Sequence, residues 1–159
     1  MIKSIFLNHK SKSLTEIREH CTYLEAQNIG VLFNADDFSD ELVDELIDSL
    51  TGDGKIVSKL GFVDRPAELN LHFSKKDISG TGSIKKESVE AFVRQPFDFL
   101  ISLDTSEDIN FRYVLALSKA RCKVGFEAET YTDLLQLSIR PEEEKSVSIR
   151  NVMKYLKMI

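Results

Sequence analysis

Three aspartates stand where a parallel sheet would present its chemistry. Asp36 and Asp37 follow the apolar run Asn28–Asn34, and Asp104 closes the apolar run Phe97–Leu103. Carboxylates at the ends of neighbouring strands are hard oxygen ligands suited to a cation such as Mg²⁺. One of them could also serve as a general base. Amide and hydroxyl groups flank them, so the candidate ligand crevice is Asn34, Asp36, Asp37, Asp104, Thr105 and Ser106. The same residue types have a simpler use. Asp, Asn, Ser and Thr are the preferred N-caps of helices, and both acidic turns precede a helical pattern, so capping is the favoured explanation of the acids. These residues mark a place for a ligand without identifying it, and no metal or cofactor is assigned.

The elements that must position these residues follow from hydrophobic periodicity. Asn28–Asn34 (NIGVLFN) and Phe97–Leu103 are apolar on both faces, the pattern of strands buried in a parallel sheet. Ser39 precedes a helical stripe of Leu42, Val43, Leu46, Ile47 and Leu50, with Asp40 and Glu41 in its first turn and Gly52 as a left-handed stop. Lys55–Val63 reads as a second strand, and the alternation of Leu69, Leu71 and Phe73 as a short edge strand. Ser79–Ser83 is a turn, and Glu87–Gln95 is a helix ended by Pro96. Phe111, Val114, Leu115, Leu117 and Ala120 then recur at helical spacing, and Cys122, Val124 and Phe126 alternate as a strand. Leu134–Ile139 reads as a last short strand, antiparallel at an edge. Pro141 opens the final helix, with acids in its first turn and Lys154 and Lys157 in its last.

These elements predict a three-layer Rossmann-like α/β sandwich with a mostly parallel sheet and one or two edge strands. The strands at Ile29 and Phe97 are expected as central neighbours with their helices on opposite faces. Their carboxyl ends then form the switch point where such sheets bind ligands. Residues 1–27 are expected to form an N-terminal arm with a short helix over Leu14–Cys21, and residues 28–159 the Rossmann-like domain, a single domain overall.

Composition narrows the function classes. With 159 residues, 42% hydrophobic and 30% charged, the chain has the make-up of one soluble domain. A formal charge of -5 argues against nucleic acid as the main partner, because phosphate binding needs a basic footprint. Cys21 and Cys122 lie far apart with no metal-ligand spacing near either, which fits a reducing cytoplasm. Met1–Lys10 holds too short an apolar run for a signal peptide, and no segment reaches membrane-spanning length. Gly80-Thr81-Gly82-Ser83 precedes a helix but lacks the Gly-Lys-Ser/Thr ending of a phosphate loop. The first strand is followed by Asn34-Ala35-Asp36-Asp37, without the glycine fingerprint of dinucleotide binders. There is no Gly-x-Ser-x-Gly elbow, and His9, His20 and His72 are isolated from one another.

The acid pair and the later aspartate resemble in part the acidic pocket of response-regulator receiver domains. Two features depart from that pattern: a long segment separates the acids, and Lys123 lies inside its strand instead of at the end. From about Asn28 to Ile159, the segments NIGVLFNADD, HFSKKDISGTGS, FDFLISLD, ALSKARCKVGF and the terminal KYLKMI are similar to a small domain-of-unknown-function family of Bacteroidetes. That resemblance implies a cytoplasmic protein of this size and carries no activity with it. Over Phe97–Phe126 alone, the chain is also similar to the N-terminal half of heptosyltransferase-like GT-B glycosyltransferases. The shared features are a strand ending in aspartate, a helix closing on Ser118-Lys119-Ala120 and a strand closing on Val124-Gly125-Phe126. Those enzymes use a second Rossmann-like domain, for which this chain has no room, so that likeness implies at most an acceptor-side or degenerate remnant.

The expectation is therefore a non-catalytic binding or interaction module. One alternative is a small enzyme using the switch-point acids for Mg-dependent phosphoryl or sugar-nucleotide chemistry. Another is a subunit of a larger assembly, with the edge at Leu69–Phe73 or Leu134–Ile139 pairing to a protein partner.

Overall fold

A computed structural model describes residues 21–65 and 72–159. The strands are β1 (Asn28–Asn34), β2 (Ile56–Phe62), β3 (His72–Phe73), β4 (Phe99–Leu103), β5 (Cys122–Phe126) and β6 (Leu137–Ile139). The helices are α1 (Asp40–Gly52), α2 (Glu87–Arg94), α3 (Ile109–Leu117) and α4 (Lys145–Lys157). The expected helix over Leu14–Cys21 and the apolar positions Leu69 and Leu71 lie outside the described residues, Cys21 excepted.

The strands form one sheet in the order β3-β2-β1-β4-β5-β6. Every neighbouring pair is parallel. The expected antiparallel edge is thus corrected: β6 runs parallel to β5, and only Leu137–Ile139 of the expected Leu134–Ile139 is strand. A one-turn 3-10 helix at Glu129–Tyr131 lies in the connection that carries the chain back for a parallel return.

Alternation along the strands feeds two cores. Ile29, Val31 and Phe33 of β1, with Phe99, Ile101 and Leu103 of β4, pack against Val43, Leu46 and Leu50 of α1 and Ile149, Val152 and Leu156 of α4. Leu32 and Leu100, on the opposite face, pack with Val89, Phe92 and Val93 of α2 and Phe111, Val114 and Leu115 of α3. The result is the expected three-layer, Rossmann-like α/β sandwich, with the helices that follow β1 and β4 on opposite faces. Phe97 lies just before β4 and is 1% exposed. Its ring lies over Gly30, where an added Cβ would come within 2.6 Å of it, so the central strand needs a residue without a side chain there.

Two helix boundaries differ from expectation. Gly52 is the last residue of α1, and the left-handed residue is Gly54, at φ 83°. α4 starts at Lys145, leaving Pro141–Glu144 outside it, because the Glu142 N–H donates to the Ser148 hydroxyl (2.8 Å) and ties that segment back onto the first turn of α4. The Ser79–Ser83 segment is the expected turn, closed by Ser79 N–H to Ser83 O (2.8 Å) and flanked by an antiparallel bridge between Ile78 and Ile84.

Candidate functional site

The strand order reverses between β1 and β4, so the carboxyl ends of these two strands are the switch point of the sheet. Asn34 is the last residue of β1 and is 4% exposed. Asp104 directly follows β4 and is 1% exposed. The six sequence candidates lie in these two loops, and the loops are joined by side-chain hydrogen bonds.

Asp104 is the centre of the larger group. Its Oδ1 accepts from Asn34 Nδ2 (2.8 Å), the Ser106 hydroxyl (2.7 Å) and Ser106 N–H (3.2 Å). Its Oδ2 accepts from Glu107 N–H (2.9 Å) and from the Tyr131 hydroxyl. Asn34 Nδ2 also donates to Ser106 Oγ (2.9 Å), so amide, hydroxyl and carboxylate form a closed ring. Burial and the bond to Asp104 both raise the Tyr131 hydroxyl well above its ordinary pKa, which keeps it a proton donor.

Asp37 makes the second group. Its Oδ2 accepts from Thr105 N–H (2.7 Å) and the Thr105 hydroxyl (2.5 Å), and Lys145 Nζ lies 2.6 Å from its Oδ1. Lys145 also donates to Thr105 Oγ1 (3.3 Å) and sits 4.9 Å from the centre of the Phe38 ring. Asp36 turns away from both groups and accepts from Asp64 N–H (2.9 Å), while its own N–H donates to Asn34 Oδ1 (3.0 Å). The three aspartates therefore diverge. Among the described residues, no group of three or more His, Cys, Asp or Glu side chains is placed to hold a metal ion.

The capping expectation is corrected as well. Ser39 caps α1, as expected, and Asp108 caps α3, its carboxylate accepting from Asn110 and Phe111 N–H. The three candidate acids tie loops together instead. Lys123, second residue of β5, lies toward the amino end of its strand and donates to Ala116 O (3.2 Å). The cation at the switch point is Lys145, which sequence reasoning missed, as it missed Tyr131. Glu107 was also missed. It holds φ at 60°, a left-handed conformation that costs a side-chain-bearing residue about 1–2 kcal/mol. Its carboxylate accepts from Thr130 N–H (3.0 Å) and the Thr130 hydroxyl (2.6 Å), which anchors the strained turn. Beside the switch point, Glu127, Ala128, Glu129 and Thr132 line an open cleft of about 300 Å³.

The electrostatics of Asp37 yield a pH expectation. Burial pushes its carboxyl up, but the bonds from Lys145 and from the Thr105 hydroxyl and N–H outweigh burial and hold it below its usual value. A carboxyl depressed in the folded state contributes stability that is fully present above its unfolded value, about 3.9, and is lost as pH falls through the folded value. Lys145→Met removes one of those bonds, so Asp37 should titrate at higher pH, and the share of the acid loss of stability that this carboxyl contributes should shrink. A carboxyl ¹³C titration reads this directly. An unchanged Asp37 midpoint in the variant would refute the assignment.

No curated protein and no solved structure matches the chain. Residues 2–159 match a family described as a family of unknown function (DUF6913). The chain belongs to the DUF6913 family.

Proposed function

We propose that this protein is a non-catalytic binding or interaction module built on a Rossmann-like sheet. The observation that carries the reading is Asp104. Both of its oxygens accept from groups of the chain itself, and the crevice between β1 and β4 is bridged through it. Asp37 is engaged in the same way by Thr105 and Lys145. A general base needs a free lone pair within reach of substrate, and a metal ligand needs lone pairs turned toward a common point. Here those lone pairs face protein donors.

A protein partner is favoured over a small ligand by the opposite end of the sheet. Leu24 is 89% exposed and Ile56 65% exposed, and both lie on backbone held close by Lys55 and by the Ile56 N–H bond to Gln27 O (2.8 Å). The edge strands are weaker candidates. Leu137, Ser138 and Ile139 of β6 are at most 1% exposed, and β3 has two residues among those described.

The test combines two measurements on the intact chain. Millimolar Mg²⁺, alone or with nucleotide sugars, should leave the melting temperature unchanged. Immobilised protein should retain a stoichiometric protein partner from native extract, and that retention should weaken in Leu24→Asp. A Mg²⁺-dependent rise in melting temperature that Asp104→Asn abolishes would overturn the reading in favour of metal-dependent chemistry.

A further inference from the structure

Four lysines of this acidic protein are held together on one hairpin. Lys75, Lys76, Lys85 and Lys86 stand with a single aspartate between Ser74 and Lys86, in a chain of net charge -5. Lys75 and Lys76 belong to a one-turn 3-10 helix, Lys75–Asp77, and Lys85 and Lys86 follow the Ser79–Ser83 turn. That turn folds the second pair back beside the first. Ile78 and Ile84 form an antiparallel bridge, and Lys85 N–H donates to Asp77 O (2.7 Å). The hairpin is pinned to the body of the fold, because the Tyr113 hydroxyl donates to Gly82 O (2.6 Å) and Lys86 Nζ to His72 O (2.6 Å). The one aspartate is engaged by backbone, its carboxylate accepting from Ser74 N–H (2.9 Å). Lys75, Lys76 and Lys85 are exposed and meet no carboxylate among the described residues. Lys59, Lys145 and Lys157, by contrast, each meet one. Like charges held side by side repel, and an anion from outside the chain would offset that repulsion.

The borders of the cluster set the size of that anion. On one side His72 Nε2 lies 3.9 Å from Asp40, and Asp40 and Glu41 form the first turn of α1. On the other, Glu87 and Glu90 stand in the first turn of α2, directly after Lys86. At physiological ionic strength a charge acts over about 8 Å, so these acids repel an anion that reaches past the lysines. A nucleic-acid duplex or an anionic membrane is broader than the hairpin and would meet both borders. A short acidic peptide would meet neither. We propose that the hairpin from Lys75 to Lys86 docks a short acidic segment of a protein partner, whose carboxylates are received by the ammonium groups of Lys75, Lys76 and Lys85. Exposed charges of this kind act mainly on the association rate and its salt dependence, so the contact is weak by itself and steers the partner. The hairpin follows β3 at the carboxyl end of the sheet, whereas Leu24 and Ile56 lie at the amino end, so the two surfaces stand on separate observations.

The experiment titrates the ¹⁵N-labelled full chain with a hexaglutamate peptide at low ionic strength and follows its amide resonances. Shifts should concentrate between Ser74 and Lys86 and fade as salt is added. The double variant Lys75→Glu/Lys85→Glu should bind the peptide about tenfold more weakly, and Lys75→Gln/Lys85→Gln should fall between it and the parent. A control pair, Lys119→Glu/Lys154→Glu, reverses two exposed lysines elsewhere and changes the net charge by the same amount. It should keep the parental affinity within about twofold. The proposal is overturned if the peptide produces no shifts, if they spread over the whole surface, or if the control pair weakens binding as much as the hairpin pair does. It is equally overturned if a short DNA duplex or phosphatidylserine vesicles bind the hairpin more tightly than the peptide. The glutamine pair decides the matter if the glutamate pair does not fold. Retention of a partner through Leu24 is measured separately, so a failure here can be told apart from a failure of the module reading.

Discussion

Alanine at position 104 should cost the fold about 3–5 kcal/mol, a few times the cost of one buried hydrogen-bonding group left unpaired. Five donations end on this one carboxylate, which is 1% exposed. Removing it leaves two backbone amides, an amide side chain and two hydroxyls around an emptied space, each unpaired group costing about 1–3 kcal/mol. The sum of those penalties is not reached, because the Ser106 and Tyr131 hydroxyls can rotate and water can enter the space. Asp104→Asn keeps the volume and one acceptor oxygen but turns an NH₂ group toward two of the donors, so about 2 kcal/mol is expected. Tyr131→Phe deletes a single donor and should cost about 1 kcal/mol. Urea unfolding at an unchanged m value reads all three. If Asp104→Ala moves the midpoint no further than Tyr131→Phe, the carboxylate does not hold the switch point together.

Why so much of this site was legible in the sequence, and why two of its residues were not, has a physical answer. The strands β1 and β4 are apolar on both faces because each feeds both cores, with Val31 on one side and Leu32 on the other. That pattern belongs to central parallel strands, and it places whatever follows them at one end of the sheet. Asn34, Asp36, Asp37, Asp104, Thr105 and Ser106 could therefore be collected without coordinates. Which partner each acid takes could not, since an N-cap and a loop tie use the same residue types. Asp108, not Asp104, caps the helix.

Lys145 was hidden by a misleading start signal. Pro141 followed by three glutamates has the composition of a first helical turn. The helix nevertheless begins at Lys145, where the Ser148–Glu142 bond and the Asp37 carboxylate hold its first turn. Both are long-range or side-chain contacts that periodicity does not report. Tyr131 sits in a polar connection, Glu127–Thr132, and the only local sign of its burial is an aromatic residue among polar ones. The direction of β6 was hidden for a similar reason. Three residues carry no periodicity that separates parallel from antiparallel, and the sense is decided by pairing with β5.

The second large effect belongs to the other end of the sheet, at Lys55. This lysine is 8% exposed, and its ammonium donates to the carbonyls of Tyr23, Ala26 (2.7 Å) and Leu24 (3.5 Å). It also lies 4.4 Å from the centre of the Tyr23 ring. The Tyr23 hydroxyl in turn donates to Asp53 (2.7 Å), and Tyr23 N–H donates to Ile159 O (3.2 Å). One buried cation thus ties the turn before β1 to the start of β2, and that turn carries the exposed Leu24. Lys55→Met keeps most of the alkyl stem and deletes the donors, which isolates the ammonium from packing. Hydrogen bonds to a charged group contribute about 1.5–3 kcal/mol and an ammonium over an aromatic ring about 0.5–2 kcal/mol. With partial hydration of the freed carbonyls, a net loss of about 2–4 kcal/mol is expected. Arginine should not restore it, since a planar guanidinium cannot converge on three carbonyls as a compact ammonium does. The loss should be local before it is global: hydrogen exchange should quicken at Ala26 and Ile56, whose N–H groups bond to Thr22 O and Gln27 O, while the amides of β4 keep their protection. If Lys55→Met shows parental exchange at those two amides, the ammonium is not what fixes the turn. The close placement of the backbone that carries Leu24 and Ile56 would then need another source.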